Sequence, residues 1–308
     1  MEELAKALTI GLNNGLIIAL IAIGYTLVYG ILELINFAHA DVFMLGTAFT
    51  FYATEFIVRV LGIPASSGLA LLLTFAALPI VMVFTAVINA SIERAAYRPL
   101  RNAPRLAPLI SAIGMSFVLQ NVGLVLLGPS QKAVEPVLPR TDIITFPSGG
   151  SWFGLDELMV LAVTIPLLLG LRWFVGSTRQ GKAMRATAQD REASGLMGID
   201  VNRTISLTFL IAGSLAGAAG LVVALYYGQT FFQYGFQFGL LSFTAAVLGG
   251  IGNLTGAAMG GIVIGMIGAL SDRFLEAKWT SVIVFTILIL VLIFRPTGLL
   301  AEKQSERA

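Results

Sequence analysis

Few of the 308 residues have side chains that could do chemistry: there are 19 Lys and Arg, 17 Asp and Glu, one His and no Cys. Disulfides, Cys zinc sites, iron–sulfur clusters and Cys nucleophiles are excluded, and the single imidazole, His39, excludes a multi-histidine metal site. GGIGNLTG (Gly249–Gly256) has the wrong glycine spacing for a dinucleotide loop, and no acid follows within 15 residues. Gly181-Lys182-Ala183 has Ala where a phosphate-binding loop needs Ser or Thr. H-E-x-x-H and G-x-S-x-G are absent. No catalytic, metal or cofactor site is expected, and any ATP that drives this chain is hydrolysed on another subunit.

Two polar clusters remain. Glu33-Leu-Ile-Asn36-Phe-Ala-His39-Ala-Asp41 lies between two apolar stretches. Ionisable groups at membrane depth are costly and usually face a cavity or a partner, which would make this segment a gate or hinge on a solute path. A plain turn is the other reading, with Asn36 capping a helix whose exposed first turn holds His39 and Asp41. Proton transfer through His39 is chemically available, although a lone His argues weakly for it. The second cluster, STRQGKAMRATAQDREASGLMGIDVNR (177–203), places Arg185, Asp190, Arg191 and Glu192 among small or apolar residues. It reads as one short helix from Gly181 to Leu196, ended by Gly195 and Gly198. It is too polar to span a membrane and long for a mere connection, so it is either a solvated loop or a rigid helix that docks in a partner's groove.

The elements that carry these clusters follow from where charge is missing. Charged residues make up 12% of the chain and hydrophobic ones 57%, which excludes both a soluble globular domain and a disordered chain. Charge-free runs cover 7–32, 60–92, 106–131, 158–171, 204–271 and 279–294. About 20 apolar residues cross a bilayer, so the first three runs hold one helix each and 204–271 holds about three. The run 158–171 reaches full length if Asp156, Glu157 and Arg172 lie at the interfaces, and 36–58 is a further, more polar span. The expectation is an all-α polytopic membrane protein with about 8–9 membrane segments. Within 240–270 two full helices do not fit, so two short or broken segments should meet near Gly249–Asn253, as a re-entrant pair lining the path or as an ordinary hairpin. Fourteen of the 33 glycines lie in 213–268, and the pairs Gly213/Gly217, Ala216/Gly220, Gly252/Gly256/Gly260 and Gly261/Gly265 allow close helix contact, within the chain or with a second subunit.

Basic residues set the orientation. Thirteen of the 19 fall in 92–105, 172–203 and the tail after 294, which are therefore placed in the cytoplasm together with the C-terminus. The segments 59–67, 129–155, 228–239 and 271–278 and the N-terminus are then outside, and no cleavable signal peptide is expected. The chain reads as a single domain, 1–308, with cytoplasmic loops 92–105 and 177–203 and an extracytoplasmic loop 129–155.

GYTLVYGILELINFAHAD (24–41), SIERAAYRPLR (91–101), LISAIGMSFVLQN (109–121), GKAMRATAQDREASGLMGI (181–199), FTAAVLGGIGNLTGAAMGG (243–261) and RPTGLL (295–300) together resemble the branched-chain amino-acid ABC importer permeases. The likeness is to the LivH type rather than the longer LivM type. It departs at Ala40-Asp41, where Gly followed by Glu or an aromatic-tolerant site is expected after the His. The resemblance implies an ABC importer permease architecture in a bacterial inner membrane, with a LivM-type second permease completing the path. It also implies two ABC ATPase subunits, an extracytoplasmic amino-acid-binding protein, surrounding lipid and no nucleic acid. Residues 190–198 are similar to the ATPase-coupling helix, with Glu192-Ala193 and Gly195 or Gly198 at its signature positions; Arg185, Asp190 and Arg191 flank them. Candidate path residues are Tyr25, Asn36, His39, Asp41, Gln120, Asn121 and Asn253. A urea or short-amide importer permease, a secondary transporter or channel acting alone, and a structural membrane subunit are the alternatives.

Overall fold

The computed structural model describes residues 2–101, 103–104, 106–139, 141–146, 151–295 and 297–300. Arg105, Lys303 and Arg307, counted above among the loop and tail cations, lie outside the described residues. The protein is a polytopic helical membrane protein: among the described residues eight helices are long and apolar enough to cross a membrane, and a ninth is shorter.

The chain runs through α1 (Glu2–Leu32), α2 (Ala38–Glu55), α3 (Gly68–Ala76) and α4 (Leu78–Ile92). A π-turn at Phe56–Val60 extends α2, and α3 and α4 join through Ala77 into one crossing that ends in a second π-turn, Glu93–Tyr97, and a 3-10 turn, Arg98–Leu100. Then follow α5 (Leu106–Leu127), α6 (Leu155–Ser177), α7 (Arg179–Gln189), α8 (Arg191–Leu196), α9 (Val201–Tyr227), α10 (Tyr234–Gly249), α11 (Leu254–Phe274) and α12 (Ala277–Phe294). Strands β1 (Lys132–Ala133), β2 (Asp142–Thr145), β3 (Ser151–Gly154) and β4 (Gln229–Thr230) form two antiparallel pairs, β1–β4 and β2–β3, at one end of the bundle. The α7–α8 segment lies at the other end, where Arg191 reaches the last turn of α1, whereas Trp152 in β3 donates to Thr9 near the start of α1.

Glycine decides the packing order. In its most apolar window α1 is 83% buried and α9 78%, against 6% for α12, so α1 and α9 form the centre and α12 the rim. A Cβ on Gly15 would lie 2.7 Å from the Ile262 Cα, and one on Gly261 would lie 2.6 Å from the Ala19 Cα, so α1 and α11 meet backbone to backbone. Likewise Gly213 faces the Thr85 carbonyl of α4, and Gly220 faces Gly46 of α2. The four-residue glycine spacing is thus used inside the chain, where close approach replaces the missing hydrophobic drive between helices in lipid. Gly252 is the exception: nothing lies near its absent Cβ, and it is a turn residue at φ 97°.

Three expectations are corrected. The break at 250–253 falls where the glycines suggested, but only α10 is short, at 16 residues; α11 is a full 21. It also lies beside α7, at the end of the bundle rather than at mid-depth. Gly250 and Gly252 take positive φ there, and Asn253 then caps α11 by accepting from the Gly256 amide at 3.0 Å.

The second correction concerns 228–239, which is not a loop throughout: 229–230 form β4 at the strand end, and 234–239 open α10. Gly228 turns the chain in the left-handed region, β4 pairs with β1, and α10 starts deep enough that Gly235 packs on Asp41. Third, 181–196 is not one helix: Asp190 is extended and ends α7, and its side chain accepts from the Ala193 amide to start α8.

Candidate translocation site and coupling segment

Of the polar cluster at 33–41 only Glu33 sits in an exposed turn; Asn36, His39 and Asp41 are buried. The chain folds back after α1 so that His39 packs against Gly24, eight residues before the end of α1 at Leu32, or about 12 Å into the bundle at ~1.5 Å per residue. Only the missing Cβ of Gly24 leaves room for the imidazole, whose ring meets Tyr25 edge-on at 5.1 Å. His39 and Asp41 are buried, not exposed, and Asn36 caps nothing: Phe37 holds the N-cap position of α2 with no side-chain cap.

Asn36 instead joins a network across three elements. Tyr97 donates to the Asn36 Oδ1 at 2.6 Å; Asn36 reaches Asn89 on α4 at 3.5 Å, and Asn89 donates to the Phe209 carbonyl of α9 at 2.7 Å. One turn further along, the fully buried Glu93 pairs with Arg101 and accepts from Ser206 of α9 at 2.7 Å. The π-turn at Glu93–Tyr97 brings both side chains inward, in keeping with the habit of π-turns to sit at functional positions.

Asp41 faces a different group. Ser116 on α5 donates to its Oδ2, and Gln120, one turn on, donates to the Ser116 Oγ at 3.1 Å. A cavity of about 110 Å³ is lined there by Tyr25, Phe37, Asp41, Ser116, Gln120 and Phe243, with Gly235, Phe236 and Gly239 of α10 opposite. Of the expected path residues, Tyr25, Asp41 and Gln120 therefore share one cavity, and His39 stacks behind it. Three do not join them: Asn36 belongs to the Tyr97–Asn89 network, Asn121 bonds to the Phe117 carbonyl of its own helix on the exposed face of α5, and Asn253 lies at the α10–α11 break. Ser116, Asn89, Glu93 and Tyr97 were not anticipated. The available signal was polar spacing of four residues, in Asn89/Glu93/Tyr97 and in Ser116/Gln120, within otherwise apolar helices.

The α7–α8 segment is clamped to the helices it joins. Arg191 donates twice to the Ile31 carbonyl, at 2.6 and 3.2 Å, and Arg185 donates to the Gly176 carbonyl at 3.0 Å and to that of Val175. These are last-turn carbonyls of α1 and α6, which lack partners within their own helices and carry the negative end of the helix dipole. Thr178 and Asp200 cap the entries to α7 and α9. Asp190, Glu192, Ala193, Gly195 and Gly198 are exposed, and Gly198 turns at φ 82°. Beside them Leu196 and Met197 stand 85% and 84% exposed, an apolar tip on a polar segment. A cavity of about 430 Å³ separates α7–α8 from Tyr97, Arg101 and Glu33.

Residues 7–292 match the family model described as "Branched-chain amino acid transport system / permease component". The chain is 41% identical over its whole length to the high-affinity branched-chain amino acid transport system permease protein BraD of Pseudomonas aeruginosa, covering 97% of that protein. It is 39% identical to the corresponding LivH protein of Escherichia coli, over 96% of this chain and 95% of that one. It is 26% identical to a probable LivH protein of Methanocaldococcus jannaschii, over 92% and 88%. No solved structure matches. With such a match along nearly every span, the chain belongs to the branched-chain amino acid transport permease family, whose members are membrane transport subunits and not enzymes.

Proposed function

We propose that this chain, as a single permease domain, is one half of the translocation path of an inward-directed ABC importer for branched-chain, hydrophobic amino acids. A second, LivM-type permease supplies the other half, two ATPase subunits bind the α7–α8 face, and an extracytoplasmic binding protein delivers the solute to the β-strand face. The basic residues then put α7–α8 and the C-terminus in the cytoplasm and the N-terminus outside a bacterial inner membrane.

The observation that carries this reading is the double clamp of Arg185 and Arg191 on the ends of α6 and α1. A push on the exposed Leu196–Met197 tip is passed to two membrane helices as a rigid-body displacement. One of them, α1, carries Tyr25 and the Gly24 notch for His39. Path specificity need not be tight, since recognition resides in the delivering protein.

The test is uptake of labelled leucine by the assembled transporter carrying Glu192→Arg or Gly195→Pro. Both positions are exposed and open, so the variants should reach the membrane at wild-type levels yet lose ATP-driven uptake. Undiminished uptake in both rejects the coupling role. Uptake by this chain alone in proteoliposomes under an ion gradient would instead establish a stand-alone transporter.

A further inference from the structure

We infer that the cavity at Asp41 is a binding site inside the permease for a primary ammonium group, the α-ammonium of an amino acid in transit. The inference deepens the importer reading and rests on it for the identity of the solute.

The two oxygens of the Asp41 carboxylate are treated differently. Oδ2 accepts from Ser116, which Gln120 in turn holds in place. Oδ1 is buried and makes no hydrogen bond. Among the described residues no Lys or Arg pairs with Asp41. A buried carboxylate with one unmet oxygen is expensive, and the groups that satisfy it best are charged donors. An ammonium offers three donors and cancels the charge.

The walls fit the same ligand. A Cβ on Gly235 would overlap Oδ1, and one on Gly239 would lie 2.7 Å from the Ala40 Cβ and 3.3 Å from the Tyr25 hydroxyl, so two glycines of α10 let that helix pack directly against Ala40 and Asp41 and form one wall of the cavity. Tyr25, Phe37, Phe236 and Phe243 line it with aromatic side chains, an apolar surround that accommodates an aliphatic side chain. Phe236 is 58% exposed, so the cavity opens between α5 and α10.

The first experiment uses the wild-type transporter in detergent and dicyclohexylcarbodiimide, an apolar carboxyl reagent, with loss of unmodified Asp41 read by mass spectrometry, so that the acylurea and the amide formed when an amine captures the activated carboxyl both count as modification. Isopentylamine, which carries leucine's side chain and ammonium without its carboxylate, should slow the modification. Isopentanol and sodium chloride should not. Equal protection by isopentanol would make the cavity merely apolar, and protection by sodium alone would make it an alkali-cation site; either result overturns the inference.

The second experiment measures leucine uptake per ATP hydrolysed in proteoliposomes. Losing the charge-assisted contact in Asp41→Asn should lower that ratio about tenfold or more, while Asp41→Glu restores most of it. An unchanged ratio in Asp41→Asn overturns the inference. Should Asp41→Asn fail to assemble, the protection assay on the wild type decides alone. Protection by isopentylamine without wild-type leucine uptake would leave the ammonium site standing and reject the importer.

Discussion

Glu93 shows how much a single polar residue costs and contributes here. Its carboxylate is fully buried and is held by Arg101 and Ser206. Burial pulls the Arg101 guanidinium below its ordinary range, and the adjacent carboxylate works in the opposite direction. Removing one partner of such a pair leaves the other charge buried and unmet, so Arg101→Met should destabilise the protein by about 3–5 kcal/mol. The double variant Glu93→Gln/Arg101→Met should recover much of that loss, and thermal unfolding in detergent would measure both. An additive double variant would mean that the pair is not coupled. A second residue-scale prediction concerns the notch for His39. Gly24→Ala overlaps the imidazole and should cost about 1–3 kcal/mol through overpacking, a loss that Gly24→Ala/His39→Ala largely restores. If the second substitution gives no relief, His39 does not occupy the notch.

At the scale of elements, the α7–α8 segment depends on its caps. Asp190→Ala removes the side chain that starts α8, worth about 1 kcal/mol, and should speed amide exchange over 191–197 while leaving α7 unchanged. Equal acceleration in both helices would mean that they form one cooperative unit. The segment after α12 is a second device of this kind. Leu299 and Leu300 donate backbone bonds to the carbonyls of Leu248 and Gly249, and Asn253 donates to the Leu300 carbonyl at 2.6 Å. Leu299 and Leu300 thereby cap the C-terminal end of α10, whose last carbonyls have no partner within the helix. Gly298 has φ 88°, and a Cβ there would meet the Gly250 Cα at 2.5 Å. Gly298→Val should therefore detach the strap, read as faster exchange of the Leu299 and Leu300 amides; unchanged exchange would refute the clasp.

On the scale of the whole molecule, burial distinguishes the faces. The helices α5 and α12 both leave most of their surface open, but only α5 borders the polar cavity at Asp41. A cleft containing a carboxylate is poorly suited to lipid, so the α5–α10 face is the one expected to meet the proposed second permease. Because the chain has no Cys, single cysteines report cleanly. Phe117→Cys on α5 should cross-link to a partner permease, and Leu292→Cys on α12 should not. The reverse pattern would move the path to the other side of the bundle. Cysteines at Leu196 and at Lys132 should likewise be labelled from opposite sides of the membrane.

Much of this was legible in one dimension. Charge-free runs gave the spans, since a bilayer leaves little choice but to exclude charge and pair every backbone group within a helix. Paired glycines marked the break before α11, and the polar, basic stretch at 177–203 marked the segment between α6 and α9. What the sequence did not reveal depends on depth and on neighbours. Local pattern alone left His39 and Asp41 equally suited to an exposed first turn; the notch at Gly24, on another helix, is what places them inside. Asp190 reads as an ordinary helix residue until its side chain bonds the Ala193 amide. Asn121 and Asn253 share a residue type with Asn36, but only Asn36 faces the partners that make a network. Sequence by itself determined that the chain is a membrane helix bundle with one polar handle, because hydrophobicity and charge are properties of each segment. Only the tertiary structure decided which polar side chains meet, because that depends on the space that neighbouring helices leave between them.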